Sequence, residues 1–322
     1  MTLPRCSVVL ASHELSAAFE ASVQSALEAL AQCSEPGECV VVLDGRSTTD
    51  RDLVLRRFAD AADQLRVVCV SSGGLTRALI HGCNIAQGEF IARLDVGDAM
   101  TSQRLVRQLG AISADPHCVL ATSAVEICGP GWEHLWVNRG SETLAGFPTR
   151  VDQVPAEQGI AMDIPHHSSV MFRRDVYQAV GGYRSQFYFG QDWDLWYRLA
   201  SAGRFVHLPE VLTRVRLFSD GLSSRHWREQ RDIARLSLAC HQARSQRKPE
   251  SDLLQQAATI RPKPRAKRRL PWDSRRAEGA YFIGEALRRN GDRRCRVYFH
   301  EALRHGFWKP RILARSLQSM VL

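Results

Sequence analysis

Residues 88–100, GEFIARLDVGDAM, decide the fold of this chain. Their apolar run, Phe90 to Ala92, predicts a buried strand, and the acidic and glycine residues that follow predict a turn at its carboxyl end. Ligands of open α/β sheets bind at that edge. Asp95 and Asp98 lie three positions apart in the turn and would hold a hard divalent cation through carboxylate oxygens. In the alternative interpretation, both residues only form the turn and cap the helix that follows.

The stretches on both sides of this segment alternate between short apolar runs and helical spacings. The apolar runs predict strands at residues 6–10, 39–43, 67–70, 119–124, 168–172 and 211–217. The helical spacings predict helices at residues 12–33, 50–65, 75–86, 101–109, 174–180, 192–202 and 227–246. Residues 129–163 have no clear period and predict a loop with short elements. The alternation predicts an α/β fold with a mostly parallel sheet and helices on both faces.

The composition is that of an ordinary globular protein. The chain has 322 residues, of which 44% are hydrophobic and 24% are charged. Its nine cysteines are scattered without a C-x-x-C pair, which indicates buried thiols in a reducing compartment rather than a disulfide framework. The apolar core at residues 6–11 is too short for a signal peptide, and no apolar run approaches roughly 18 residues. We therefore expect a cytoplasmic protein without a membrane-spanning helix.

The net charge of +9 is concentrated at one end of the chain. Residues 1–246 carry 24 Arg and no Lys against 27 Asp and Glu, a net charge of −3. Residues 247–322 carry 19 Lys and Arg against 7 acidic residues, a net charge of +12. Such a basic region favours an anionic partner, either membrane lipid or nucleic acid. A solvated surface without a partner is the alternative interpretation.

The basic region divides into a linker and a tail. Pro262, Pro264 and Pro271, together with a basic run, predict a linker at residues 247–275. Helical spacings predict two helices, at residues 276–290 and 293–305, within a tail domain of residues 276–322. This tail resembles a single tetratricopeptide-like helix pair. Because one pair cannot bury its own apolar face, we expect the tail to dock on the rest of the chain or on a partner.

Four segments, in order, carry a resemblance to a known family. They are CSVVLASHE (6–14), VVVLDGRSTTD (40–50), GGLTRALIHGCNIAQGEFIARLDVGD (73–98) and HHSSVMFRRDVYQAVGGYRSQFYFGQDWDLWYRL (166–199). Through these segments the chain resembles family 2 of the glycosyltransferases, which is the inverting group with the GT-A fold. Within that family it resembles the bacterial surface-polysaccharide type. The resemblance implies a GT-A domain over residues 1–246. Its nucleotide-binding half would be residues 1–98 and its acceptor half residues 99–246.

The resemblance also implies roles for four acidic residues. Transfer from a nucleoside-diphosphate sugar needs a leaving diphosphate that Mg²⁺ or Mn²⁺ neutralises, and a base that takes the acceptor proton. By position, Asp98 is the main metal ligand, and Asp95 contacts the metal and the ribose. Asp192 matches the base, at a predicted helix start that stabilises a carboxylate, although it could serve only as a helix cap. Asp44 would bind the nucleotide's base or ribose, with a simple turn residue as the alternative.

Four further residues are assigned to the nucleotide. Ser12 and Glu14 would lie along it. Arg77 and Arg93 would contact phosphate or stay solvated, and the acidic turn beside Arg93 favours phosphate contact for that residue.

The chain departs from the family pattern at the metal. Gly97 replaces an acidic residue of the usual metal turn, and Phe218 stands where a late His often approaches the diphosphate. The site therefore has few ligands, and metal binding would depend on the diphosphate itself.

We therefore predict a glycosyltransferase that moves a sugar with inversion onto a hydroxyl of a glycan or lipid-linked acceptor, peripherally at the inner face of the cell membrane. A nucleic acid is the less expected partner. Two alternatives remain. A non-catalytic relative would bind a nucleotide sugar or a partner, which the small metal site favours. A sugar nucleotidyltransferase would need a Gly-x-Gly-Thr-Arg-type loop after the first strand, where this chain has Ala-Ser-His-Glu at residues 11–14.

Overall fold

The computed structural model describes residues 5–140, 165–219, 221, 226–262 and 273–319. Most of the predicted loop at 129–163 and the basic run after Pro262 lie outside the described residues. The chain divides into two compact units. The first contains Met1–Val125, Arg139–Arg214 and Arg231–Arg261, and the second contains Glu126–Asn138, Val215–Gln230 and Pro262–Leu322.

The described residues form a sheet of nine strands, in the order β3-β2-β1-β4-β8-β6-β9-β5, with β7 paired to β6. The strands are β1 (Cys6–Ser12), β2 (Gly37–Asp44), β3 (Leu65–Val70), β4 (Phe90–Arg93), β5 (Ala99–Met100), β6 (Cys118–Cys128), β7 (His134–Asn138), β8 (Met171–Arg173) and β9 (Arg204–Arg216). Strands β1 to β4 pair in parallel, whereas β8 pairs antiparallel with β4 and with β6. The predicted α/β fold is confirmed.

Helices follow the strands of the first unit and make up most of the described part of the second. They are α1 (Ala17–Leu30), α2 (Thr48–Arg57), α3 (Leu75–Ile85), α4 (Arg104–Ser113), α5 (Arg174–Ala179), α6 (Gln191–Ala200), α7 (Trp227–Ser245), α8 (Ser251–Thr259), α9 (Ser274–Arg289), α10 (Cys295–Gly306) and α11 (Pro310–Ser319). Single 3₁₀ turns lie at Ala59–Ala61 and His167–Ser169. No helix of these described ranges is long and apolar enough to cross a bilayer.

The side chains of β1 alternate between two cores, as the period of a strand requires. Val8 and Leu10 pack with Phe19 of α1 on one face of the sheet. Val9 packs with Leu79 of α3 on the other face. Strand β1 is therefore buried on both sides, which is why its sequence is a continuous apolar run.

All nine cysteines are free thiols, as the composition predicts. Burial raises the pKa of Cys39 and of Cys83 to about 12.

Local capping explains where the first helices begin. The Ser16 hydroxyl accepts a hydrogen bond from the Phe19 N–H at 3.3 Å, so α1 starts at Ala17 rather than at residue 12. Ser12 instead ends β1. Ser47 and Asp50 form a reciprocal capping box at the start of α2.

Three elements differ from the prediction. The expected linker at 247–275 is helical over α8, because Leu253, Leu254 and Ala257 pack against Phe187 and Phe189 of the first unit. Helix α11 lies beyond the two helices predicted for the tail. Strand β7 is one of the short elements expected within the predicted loop. The predicted strand at 168–172 is a 3₁₀ turn followed by the short strand β8.

The second unit joins the tail helices to β7. Gly284 of α9 lets the Phe299 ring of α10 approach, since a Cβ there would lie 2.9 Å from that ring. The Asn290 side chain donates to the carbonyl of Leu135 at 2.6 Å. Tyr298 donates to the Glu133 carboxylate at 2.8 Å. The tail helices are therefore hydrogen-bonded to the 126–138 segment.

Candidate active site

Three predicted site residues lie at one edge of the sheet, at or just after the carboxyl ends of parallel strands. Ser12 ends β1, Asp44 ends β2, and Asp95 follows β4 by two positions. The registers pair Ser12 with Leu43 and Val9 with Arg93, so these carboxyl ends lie side by side. This is the edge at which open α/β sheets bind ligands.

The acidic turn is closed by its own backbone and by α1. The Asp98 N–H donates to the Asp95 carbonyl at 3.1 Å, and the Gly97 N–H donates to the Ser22 hydroxyl at 3.0 Å. The Ser22 hydroxyl also donates to the Asp98 carbonyl at 2.6 Å. Gly97 has a φ of 105°, which side chains rarely adopt. The turn geometry therefore accounts for a glycine at the position where the resemblance described above leads us to expect an acidic residue.

Asp95 is held by two basic side chains. Its Oδ1 accepts from the Arg93 guanidinium, and its Oδ2 lies 3.4 Å from His167 Nδ1. Burial alone would raise the pKa of the Asp95 carboxyl, but His167 and Arg93 outweigh it and hold the pKa well below its usual range. The side chain keeps 31% exposure. Asp95 is therefore an ionised carboxylate with a fixed orientation.

Arg93 lies beneath this carboxylate rather than open to a diphosphate. Its side chain is fully buried. Besides Asp95, it donates to the carbonyls of Val9 and Leu94, and to His167 Nε2 at 3.3 Å. The expected phosphate contact is thus at odds with its position, because the donors are committed to internal partners.

Ser168 connects the two acidic residues of the turn. Its hydroxyl donates to Asp98 Oδ2 and accepts from the Asp95 N–H at 2.9 Å. Asp98 is only 6% exposed. Arg104, fully buried, donates to the carbonyls of Ser168, Arg93 and Val170. Ser168 and Arg104 therefore set the shape of the acidic turn from outside it.

The remaining nucleotide-side residues differ in how far they are fixed. The two Asp44 carboxylate oxygens accept from the N–H groups of Gly73 and Gly74, at 2.8 and 3.0 Å. Ser12 donates its hydroxyl to the Glu14 carbonyl at 2.6 Å. The Glu14 and Arg77 side chains are exposed. Asp44 and Ser12 are thus preorganised, whereas Glu14 and Arg77 face solvent.

The start of α6 separates its two acidic residues. Gly190, with a φ of 56°, precedes the helix, and Asp192 lies half-buried in the first turn. Asp194 is fully buried. It accepts from Arg184 and from Arg198, with Asp194–Arg198 distances of 2.7 and 3.1 Å. Asp194 is therefore committed to an internal ion-pair network, and Asp192 is the residue that retains contact with solvent.

Residues 165–168 join the acidic turn to α6. The Trp196 indole N–H of α6 donates to the Pro165 carbonyl at 3.3 Å. At the other end, His167 and Ser168 hold Asp95 and Asp98. Between them, burial lowers the pKa of His166, while the carboxylates of Asp95 and Asp192 both act to raise it. The structure thus brings the acidic turn and the helix start around one imidazole.

Comparison with known proteins identifies the family. The model of glycosyl transferase family 2 matches residues 7–181, more than half of the chain.

The chain belongs to glycosyltransferase family 2.

Relatives of this family 2 glycosyltransferase include the amylovoran biosynthesis glycosyltransferase AmsE of Erwinia amylovora. The two sequences are 30% identical over 228 residues, which cover 69% of this chain and 82% of AmsE. The putative glycosyltransferase EpsE of Bacillus subtilis (strain 168) is 26% identical over 69% of this chain and 76% of its own length. The predicted family and enzyme class are confirmed.

A solved structure supports the GT-A fold of the glycosyltransferase. The mannosyltransferase PcManGT of Pyrobaculum calidifontis, in complex with GDP-Man and Mn²⁺, superposes with a TM-score of 0.51 at 16% identity. The match covers 99% of this chain and 85% of that chain.

The family 2 glycosyltransferase offers a metal few protein ligands. No group of three or more His, Cys, Asp and Glu residues that could hold an ion occurs in the part of the chain that the structure describes. Asp95 and Asp98 supply hard carboxylate oxygens, which suit Mg²⁺ or Mn²⁺ when diphosphate and water complete the coordination. The donor set thus fits a metal that enters with its nucleotide.

Four residues of this site were missed by sequence reasoning. Ser22, Arg104, Ser168 and Tyr183 each hold a site residue or one of its partners. Ser168 alone left a signal, as one of two serines that stand between two histidines and the apolar run at residues 170–172. Ser22 and Arg104 sit in helices, where polar residues ordinarily indicate a solvent face.

Proposed function

We propose that this glycosyltransferase moves a sugar from a nucleoside-diphosphate sugar to a hydroxyl of a glycan or lipid-linked acceptor, with inversion. The observation that carries the proposal is that residues 165–168 contact both Asp95, through His167, and the helix that carries Asp192 in its first turn, through Pro165. An inverting displacement needs a leaving group on one side of the sugar and a base on the other. A metal side at Asp95 and a base side at Asp192 meet that need.

The metal side rests on Asp98 and Asp95. Mg²⁺ or Mn²⁺ bound there would neutralise the departing diphosphate. Asp95 is kept ionised by His167 and Arg93, so it is ready to accept a cation. The Mn²⁺ in the complex of the mannosyltransferase PcManGT supports this choice. Arg93 positions the Asp95 carboxylate.

The nucleotide would lie along the edge formed by β1, β2 and the acidic turn. Asp44 is held by two backbone N–H groups, which leaves lone pairs on both oxygens for the nucleotide's base or ribose. Ser12 and Glu14 follow the end of β1, and Arg77 lies exposed in the first turns of α3, suited to a phosphate.

The base side rests on Asp192. A general base must reach the acceptor hydroxyl, so it must lie at an accessible surface. Asp192 meets that condition, because it is half-buried in the first turn of α6 and keeps contact with solvent. Asp194 fails it, because Arg184 and Arg198 enclose its carboxylate.

The biosynthetic role of a relative supports our choice of acceptor class. AmsE is an amylovoran biosynthesis enzyme, so we infer a role in a bacterial surface polysaccharide. An acceptor of this kind, attached to a lipid carrier, would place the enzyme in the cytoplasm, at the inner face of the membrane.

The second unit offers a surface for that membrane. Phe307, Trp308, Leu313 and Leu317 are each between 44% and 59% exposed, at and before α11. The region from residue 247 carries a net charge of +12. Aromatic rings beside basic residues suit an anionic lipid interface. A basic cluster at 288–296 is partly exposed, and the basic residues at 263–269 lie outside the described residues.

A thermal-shift screen of nucleoside diphosphates, with and without Mn²⁺, tests the nucleotide and metal assignments. We expect one nucleotide to raise the unfolding temperature in the presence of Mn²⁺, because a ligand that binds the folded state stabilises it by mass action. Absence of any shift would overturn the proposal. A shift without glycosyl transfer to any acceptor would favour the non-catalytic relative, which the small metal site also supports.

A further inference from the structure

His166 occupies a defined place between the two sides of the site. The Trp196 bond to the Pro165 carbonyl fixes its amino-terminal neighbour, and the contacts of His167 and Ser168 fix the residues that follow it. The His166 carbonyl accepts from the Ser169 N–H at 2.8 Å and from the Ser169 hydroxyl at 2.9 Å. The backbone at His166 is therefore rigid, and the side chain keeps partial solvent contact.

The hydrogen bond of its ring determines what the imidazole can offer. His166 Nδ1 accepts from the Ser168 N–H at 3.3 Å. A neutral imidazole that accepts at Nδ1 carries its proton on Nε2. Burial lowers the pKa of His166, which keeps the ring neutral at pH 7. The residue therefore presents a fixed, uncharged N–H donor.

We propose that the His166 Nε2–H donates a hydrogen bond to a hydroxyl oxygen of the transferred sugar, and so takes part in donor-sugar selection. The proposal rests on the function proposed above, in which the sugar lies between the metal side at Asp95 and the base side at Asp192. A diphosphate is better recognised by cations. A neutral donor beside two carboxylates is better matched to an uncharged hydroxyl.

A set of three variants separates the donor from the turn that it caps. His166→Asn and His166→Ser keep a side-chain oxygen that can accept the Ser168 N–H, but neither reaches the position of Nε2. His166→Gln extends an amide N–H to about the reach of Nε2. Unfolding temperatures confirm that each variant folds.

Calorimetry in Mn²⁺ then compares UDP and GDP with UDP-glucose, UDP-galactose and GDP-mannose. For the nucleotide sugar that the wild type binds, we expect His166→Asn and His166→Ser to lower affinity about tenfold, the upper range for one hydrogen bond. Affinity for the matching nucleoside diphosphate should stay within about twofold. His166→Gln should restore most of the loss.

Three outcomes would overturn the inference. Equal loss for the diphosphate and its sugar would place the contact on phosphate. Unchanged nucleotide-sugar affinity with a raised acceptor KM would place it on the acceptor. If the wild type binds neither the diphosphates nor the sugars, the proposed function itself fails and the inference falls with it.

Discussion

Arginine serves opposite purposes in the two units. Arg93 and Arg104 of the first unit are fully buried and bonded to carboxylates and carbonyls of the site. Arg294 and Arg311 of the second unit are 55% and 60% exposed, with a single acidic partner each among their ion pairs. Buried guanidinium groups fix the geometry of their neighbours, whereas exposed ones remain within reach of an external anion.

The difference teaches that net charge describes the surface poorly unless burial is known. The first unit contains most of the chain's arginines, yet several of them are spent on internal structure. The second unit is therefore the part of the chain that presents positive charge to an anionic partner, because its ion pairs are solvated and individually weak. We therefore expect substitutions in the two units to change different measured properties of the protein.

The largest effect is expected at the metal. Asp98→Ala should abolish Mn²⁺-dependent binding of the nucleoside diphosphate, because the site has no third protein carboxylate to replace it among the described residues. Calorimetry measures the binding, and circular dichroism verifies that the fold is intact. Asp60→Ala, at an exposed acidic residue outside the site, is the control. Unchanged Mn²⁺-dependent binding in the Asp98 variant would contradict the assignment.

The next effect is expected at the base. Asp192→Asn should lower turnover by about 10²–10⁴, the usual contribution of a general base. Affinity for the nucleotide sugar should stay near that of the wild type, since the lost interaction belongs to the transition state. Steady-state kinetics with an identified donor and acceptor provides the measurement.

Asp194→Asn is the matched comparison for the base. Removing this buried charge from between Arg184 and Arg198 should destabilise the fold by about 3 kcal/mol, measurable by urea unfolding. Its effect on turnover in the folded fraction should be small. If Asp194→Asn were inactive while folded, and Asp192→Asn nearly normal, the base assignment would be wrong.

A smaller effect is expected at the membrane surface. The double variant Phe307→Asp, Trp308→Asp should weaken binding to phosphatidylserine-containing vesicles about tenfold, since two rings lose burial in the interface. Flotation of liposomes measures it. Leu53→Asp, at a leucine 52% exposed in α2, is the control for an added charge on an apolar surface. Equal binding of the wild type to neutral and anionic vesicles would exclude the lipid role, and a salt-sensitive gel shift with RNA would favour nucleic acid.

The smallest effect is expected at the ion pairs of the tail. The hydrogen bond from Arg311, followed by that from Lys309, lowers the pKa of Glu278 below its usual value of 4.5. A lowered folded-state pKa contributes stability above pH 4.5 that is lost as the pH falls through the folded value. Because the side chain is 38% exposed, we expect well under about 1 kcal/mol. Glu278→Gln should flatten the pH dependence of unfolding below pH 4.5, and an unchanged profile would contradict this.

The parallel half of the fold was predictable because its signals are local. Strands β1 to β4 are apolar runs that end in acidic or glycine residues, and the helices between them keep their spacing. Helix α8 was missed because Pro and basic residues on both sides indicate a linker, and its apolar residues pack on partners more than 60 positions away in the chain.

The candidate site was predictable where a single residue carries the proposed chemistry, and not where residues support one another. Asp95 and Asp98 are recognisable because they adjoin a strand. Ser168 reaches Asp98 across 70 positions, and no local pattern encodes such a contact. Arg93 was assigned to phosphate because a cation beside an acidic turn can either bind a phosphate or hold a carboxylate of the turn. Only its burial distinguishes these two roles.

Strand β7 has a consequence for the timing of synthesis. Its Leu135 carbonyl receives a hydrogen bond from Asn290, which is 155 positions further along the chain. At about 5–20 residues per second, a ribosome needs roughly 8–30 s to add that length. During this interval the edge of β7 lacks its later partner and is open to pairing with other nascent chains. We therefore expect the yield of folded protein to depend on chaperone supply and translation rate more than its final stability would indicate.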